Sequence, residues 1–156
     1  MIRPILLYPD PRLALVADPV EVFGDELRVL ADDMFETMYD APGRGLAAPQ
    51  VGVGLRVFVM DATWKTGAPT PMVFVNPVVT PIGTDTVVHE EGCLSIPDTP
   101  RRVSRPARVH VTWQDLDGAA HEAEFSGFES ACIQHEADHL DGRLILDHPH
   151  VEPEAP

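Results

Sequence analysis

His135 and His139 stand four residues apart in the stretch Gln134-His135-Glu136-Ala137-Asp138-His139-Leu140-Asp141-Gly142. On an α-helix that spacing leaves a rotation of about 40° between them, so both imidazoles leave one face and can share a metal ion. Glu136 follows the first histidine and lies to the side of that face, where its carboxylate reaches a metal-bound water without becoming a ligand. This is the arrangement of metal-assisted hydrolysis. A His-Glu-x-x-His pattern also arises by chance on charged surface helices, so a third ligand must decide between a site and a solvated face. Cys93, in Glu91-Gly92-Cys93-Leu94-Ser95, offers one. Although an isolated cysteine is usually packing, a thiolate with two neutral imidazoles leaves a fourth coordination position for water, as a catalytic metal requires.

The elements that must hold these groups follow from periodicity. A C-terminal helix starts at about Phe128, seats Ala131, Ile133 and Leu140 on a core, and stops near Gly142. From Asp25 to Tyr39 the residues Leu27, Leu30, Ala31, Met34 and Met38 recur at helical spacing behind acidic Asp25 and Glu26, which predicts a second, amphipathic helix. Strands are expected at Val57–Met60, at Met72–Val79 with a stop or bend at Pro77, and around Thr86–Val88 leading into the cysteine segment, which Pro97 is expected to end. Val109, Val111 and Trp113 alternate with polar neighbours, Asp117-Gly118 supplies a turn, and Ala119 to Phe125 returns as the partner strand of a hairpin. Arg101, Arg102, Arg105 and Arg108 form the one basic concentration, read as a solvated face with internal ion pairs. Between Gly43 and Gly52, small residues allow close backbone approach, but no third glycine or Lys-Ser/Thr pair completes a phosphate cradle.

A chain of 156 residues, 44% hydrophobic with no second compositional block, reads as one domain over residues 1–147, with an acidic, Pro-rich tail over 148–156 expected to be disordered. The formal net charge of -14 argues against gripping a phosphate backbone or an anionic membrane through bulk charge. No signal peptide, organelle transit bias or bilayer-spanning apolar run is visible, so Cys93 and Cys132 are expected reduced and the protein cytoplasmic. His89, His110, His121, His148 and His150 lack ligand spacing and are assigned no role.

Three segments in order, Gly43-Arg44-Gly45-Leu46-Ala47-Ala48-Pro49-Gln50, Glu91-Gly92-Cys93-Leu94-Ser95 and Gln134-His135-Glu136-Ala137-Asp138-His139, make the chain resemble the peptide deformylase family over nearly its whole length. The resemblance implies an α+β fold with mixed, largely antiparallel β-sheets around a central C-terminal helix carrying the histidines. It implies removal of the formyl group from N-formylmethionine on nascent bacterial proteins, through attack of a metal-bound hydroxide on the formyl carbon. Cys93, His135 and His139 would hold one divalent ion, Fe(2+) being expected and Zn(2+), Ni(2+) or Co(2+) able to occupy the site. Glu136 would move the proton, while Gln50 and the backbone N–H of Leu94 would stabilise the oxyanion. Glu91 would orient the ligands and Asp138 would pair with Arg105. A methionine pocket would be lined by Arg44, Gly45, Leu46, Ala131 and Cys132.

Arg44 and Ala131 depart from the aliphatic residues frequent in such proteins, and Asp98 and Pro100 from the pattern that follows the cysteine motif, which bears on substrate preference. The partner implied is a formylmethionyl peptide or nascent chain, and a transient ribosome contact would not use a basic C-terminal helix, because this chain ends in acidic residues among prolines. Two other readings stay open. One is a metallo-amidase or peptidase acting on a different acylated amine. The other is a non-catalytic metal or redox module in which Cys132 closes the site.

Overall fold

The computed structural model describes residues 1–153. Among them, helix α1 (Asp25–Asp40) forms where the periodic Leu and Met residues require it, and Met34 and Met38 are wholly buried. Strands β1 (Gly45–Ala47), β2 (Val57–Met60), β3 (Met72–Pro81), β6 (Arg108–Gln114) and β7 (Ala120–Ser126) make an antiparallel five-stranded sheet in the order β1-β2-β3-β6-β7. Strands β4 (Thr86–Cys93) and β5 (Ile96–Pro106) form a separate antiparallel hairpin, and α2 (Gly127–Leu140) carries the histidines. The α+β architecture is therefore as expected; every named strand pair is antiparallel, and the parallel component is the bridge between Asp18 and Leu55.

Alternation along the strands explains how two helices are served by one sheet. Phe58, Met60 and Phe74 point into the core that holds Cys132, Ile133 and Leu140 of α2. Val57, Val59 and Val75 point the other way, into the core built on Leu27, Leu30, Met34 and Met38 of α1. With both faces covered, β2 is buried at all four positions, which is why it reads as a continuous apolar run. Pro77 bends rather than stops β3: the register with β6 shifts between Val75 and Val78, and Asn76 takes a φ of 49°.

Helix α2 touches β1, β2, β3, β6 and β7 on one side and β5 on another. Enclosure of that kind buries polar Ser130, Gln134, Glu136 and His139 together with the apolar residues, so the helix cannot be a solvated surface helix. It ends where the sequence proposes. Gly142 has φ +72°, and a Cβ there would meet Ala14 O at 2.5 Å, so the stop requires glycine on conformational and steric grounds alike.

Two expectations are corrected. Pro97 does not end the cysteine segment, because β5 begins at Ile96 and runs through Pro97 and Pro100. Among the described residues its strand partner is β4, and an edge strand tolerates residues that cannot donate to a ladder. The tail expected to be disordered from His148 is instead held on β5 over His148–Val151. Val151 N donates to Arg102 O at 2.9 Å, Arg102 Nε donates to Val151 O at 3.1 Å, and Arg101 Nε donates to His148 O at 3.1 Å. Residues 154–156 of that expectation lie outside the described residues.

Candidate active site

One helical turn separates His135 from His139 on α2, and their ring centroids are 5.1 Å apart. Cys93 closes the triangle from the end of β4, where the chain turns through Leu94 and Ser95 into β5. Its Sγ is 3.5 Å from His139 Nε2, and one ligand atom from each of Cys93, His135 and His139 lies within 4.8 Å of the others. Cys93 and His139 are buried and the His135 side chain is 11% exposed, and the three are the one such group among the described residues. The donor set of one thiol and two imidazoles suits a divalent first-row metal ion.

A chain of charges fixes the geometry from behind. Glu91, two residues before Cys93 on the same face of β4, brings its Oε1 to 3.0 Å from His135 Nδ1, leaving Nε2 for a ligand role. Arg105 of β5 grips both oxygens of Glu91, Nε to Oε2 at 2.6 Å and Nη2 to Oε1 at 2.8 Å, and donates from Nη1 to Asp138 Oδ2 at 3.0 Å. His148 Nε2 completes the chain 2.8 Å from the same Asp138 oxygen. Burial alone would raise the Glu91 pKa, but Arg105 and His135 outweigh it and hold the carboxyl at about 2. Burial would lower His135, yet Cys93 and Glu91 push it up to about 10. Burial dominates at His139 and takes it well below the usual histidine value.

Glu136 behaves differently from Glu91. Its Oε1 is 3.9 Å from His135 Nε2, its Oε2 is buried without a hydrogen-bond partner, and burial raises its pKa to about 7. Gly45 of β1 passes directly against it: a Cβ there would meet Glu136 Oε1 at 2.8 Å and Cys132 Sγ at 3.0 Å. Gln50 approaches from the 3-10 turn after β1. Its Oε1 accepts from Ala47 N at 3.0 Å, which orients the amide so that Nε2 donates to Ser95 Oγ at 3.0 Å and lies 3.7 Å from Cys93 Sγ.

An open cleft of about 610 Å³ leads to these groups, and Arg44, Gly45, Leu94, Ala131, Cys132, His135 and Glu136 all line it. Leu46 does not: alternation along β1 turns it into the α1 core, where it is fully buried. Its expected place in the pocket wall is corrected on that ground. Cys132 lies apart from the ligand group, with Sγ 3.9 Å from Arg44 O and its thiol pKa pushed well up by burial. That weighs against its closing the site as a fourth ligand. Ser95, the partner of Gln50, was legible as part of the cysteine motif but was given no role; His148, assigned nothing, had no local signal, since its partner Asp138 belongs to a separate element.

The family model for polypeptide deformylase matches residues 2–154. A peptide deformylase of Afipia carboxidovorans is 52% identical over 147 residues, covering 94% of this chain and 86% of the relative. The crystal structure of a peptide deformylase from Legionella pneumophila matches with a TM-score of 0.89 at 43% identity, covering 96% of this chain and 86% of that one. That of peptide deformylase from Thermotoga maritima matches with a TM-score of 0.89 at 40% identity, covering 98% and 99%.

Proposed function

The chain belongs to the polypeptide deformylase family, and from that we propose that it hydrolyses the N-formyl group of the formylmethionine that opens newly made bacterial proteins. The observation that carries this reading is a buried carboxylate oxygen without a partner, Glu136 Oε2, one residue from a three-donor metal group and in the wall of an open cleft. Cys93, His135 and His139 would hold the ion. We assign Fe(2+), with Zn(2+), Ni(2+) or Co(2+) able to take its place, since thiolate and imidazole accept several first-row ions. When bound, the ion supplies Lewis acidity toward a water and toward the formyl oxygen.

The protein's own groups do the rest. Glu136 accepts a proton as the water oxygen bonds to the formyl carbon, a task suited to a carboxylate whose pKa burial raises to about 7. The protonated carboxyl then returns that proton to the amide nitrogen as the carbon–nitrogen bond breaks, and formate and a free amine leave. Gln50 Nε2, oriented through Ala47, and the backbone N–H of Leu94 donate to the formyl oxygen as it gains charge; one such donor is worth ~10²- to 10³-fold in rate. Glu91, Arg105 and Asp138 keep His135 in place. Gly45, Ala131 and Cys132 line the path of the methionine side chain, and Arg44 lines the same cleft. We place the activity in the cytoplasm, where nascent chains are formylated at their start. No helix among the described residues is long and apolar enough to cross a membrane.

Release of formate from formyl-Met-Ala-Ser by anaerobically prepared, ferrous-loaded protein tests the reading. Rapid turnover is expected. A fully metallated protein that leaves this peptide intact while hydrolysing a different acylated amine would overturn it. Gly45→Ala should lower kcat by ~10- to 100-fold, because the added methyl must displace Glu136 or Cys132 and small misplacements of a catalytic group cost that much. Steady-state kinetics at matched metal load measure it, and an unchanged kcat would show that the carboxylate does not need its observed position.

A further inference from the structure

Six of the basic side chains, Arg3, Arg12, Arg28, Arg56, Arg105 and Arg143, have carboxylate partners. Arg44 and Lys65 are not among them, and both line the cleft that contains Glu136. Each is seated on an aromatic face instead: Arg44 Cζ stands 5.0 Å from the centroid of Phe128, and Lys65 Nζ 5.6 Å from that of Trp64. Their supports are tied together. Asp61 N donates to Arg44 O at 2.9 Å, Trp64 Nε1 donates to Gly43 O at 2.9 Å, and Asp61 Oδ1 accepts from Trp64 N and Thr70 N, pinning the Lys65 loop to the segment that leads into β1.

The order of groups outward from the reacting centre follows the chain. Gly45 touches Glu136, Arg44 comes next, then Gly43 with Trp64 bonded to it and Lys65 over the Trp64 ring. Exposed Glu90 and Asp98 belong to the opposite wall, on β4 and β5, and a Cβ on Gly92 between them would meet nothing within 4 Å, so an extended backbone has room there. A peptide leaving the site passes a cationic wall on one side and an acidic one on the other.

We propose that Arg44, with Lys65 beyond it, selects formylated peptides whose residue after the formylmethionine carries a carboxylate. The inference rests on the deformylase reading above. A guanidinium seated over a ring, with no carboxylate partner of its own, loses little freedom on binding, so an incoming carboxylate gains a pre-organised partner. The global field works in the other direction: a net charge of -14 repels acidic peptides and attracts basic ones. The sign of the preference therefore separates a local site from bulk electrostatics.

The test is kcat/KM for formyl-Met-Asp-Ser, formyl-Met-Ala-Ser and formyl-Met-Lys-Ser on one ferrous-loaded preparation, for wild type, Arg44→Met and Lys65→Met. The Asp to Lys ratio in the wild type should be about 10, carried by KM, as one charge-assisted hydrogen bond provides. It should fall to about 2 in Arg44→Met, fall partway in Lys65→Met, and shrink toward one between about 0.05 and 0.5 M salt. A wild-type ratio at or below one, or a ratio untouched by Arg44→Met and by salt, overturns the inference while leaving deformylation standing. Failure to turn over any of the three peptides overturns the deformylase reading and this inference with it. Lys65 lies on an exposed loop, so its variant and the salt series read the ratio even if Arg44→Met folds poorly.

Discussion

Glu136→Gln should keep its metal load and lose ~10²- to 10⁴-fold of its formate release, the range that a positioned general acid–base group supplies. The substitution preserves volume and the hydrogen-bonding outline but cannot hold the water proton. The same change should not destabilise the fold. Glu136 is 4% exposed, its Oε2 has no partner, and burial raises its pKa to about 7, so the ionised form is tolerated for chemistry rather than for stability. Thermal unfolding of the metal-free variant is therefore expected at or above the wild-type midpoint. Formate release and circular dichroism on metal-matched preparations measure both sides. A variant retaining half the wild-type rate would remove Glu136 from the proton path. A variant that instead melts well below wild type would mean that the carboxylate is part of the scaffold.

The contrast between Glu136 and Glu91 shows what could and could not be read from the chain. Local spacing was enough for His135, Glu136 and His139, because a helix of 3.6 residues per turn turns spacing into direction. It was also enough for α1, whose buried Leu and Met positions follow one face. The hairpin β4–β5 was half legible. The pairing of Glu91 and Arg105 spans 14 residues and that of Arg105 and Asp138 spans 33, so composition alone reads the four arginines as a solvated face although Arg105 is 3% exposed, and the Arg105–Asp138 pair that the structure shows was legible through the family resemblance and not through local spacing. Prolines 97 and 100 masked the strand because edge position, which permits them, is a property of the assembled sheet. Leu46 was placed on the wrong side for the same kind of reason: it shares a motif with Gly45, but adjacent strand residues face opposite ways. The ordering of His148–Val151 depends on Arg101, Arg102 and Asp138, none of them close in sequence.

Arg105→Met should be the most damaging change outside the ligands, costing ~3–5 kcal/mol of stability, because it leaves a buried carboxylate without its counter-charge. Side-chain exposures of 4% for Arg105 and 8% for Glu91 mean that water cannot take over. Arg105→Lys should not rescue it, since an ammonium cannot span both Glu91 oxygens and reach Asp138 as the planar fork does. The double variant Glu91→Gln/Arg105→Met removes both charges and should recover much of the loss, so denaturant unfolding of wild type, Glu91→Gln, Arg105→Met and the double variant reads the coupling directly. Metal affinity answers separately. With Glu91 unanchored, His135 loses the contact that fixes its ring, and affinity should fall ~10- to 100-fold in chelator competition for both the single and the double variant. Recovery of stability without recovery of metal affinity is the outcome expected if the ion pair serves the imidazole. A double variant that regains both would mean that the charges hold only the hairpin to α2, and a loss below about 1 kcal/mol in Arg105→Met would mean that they are screened like a surface pair.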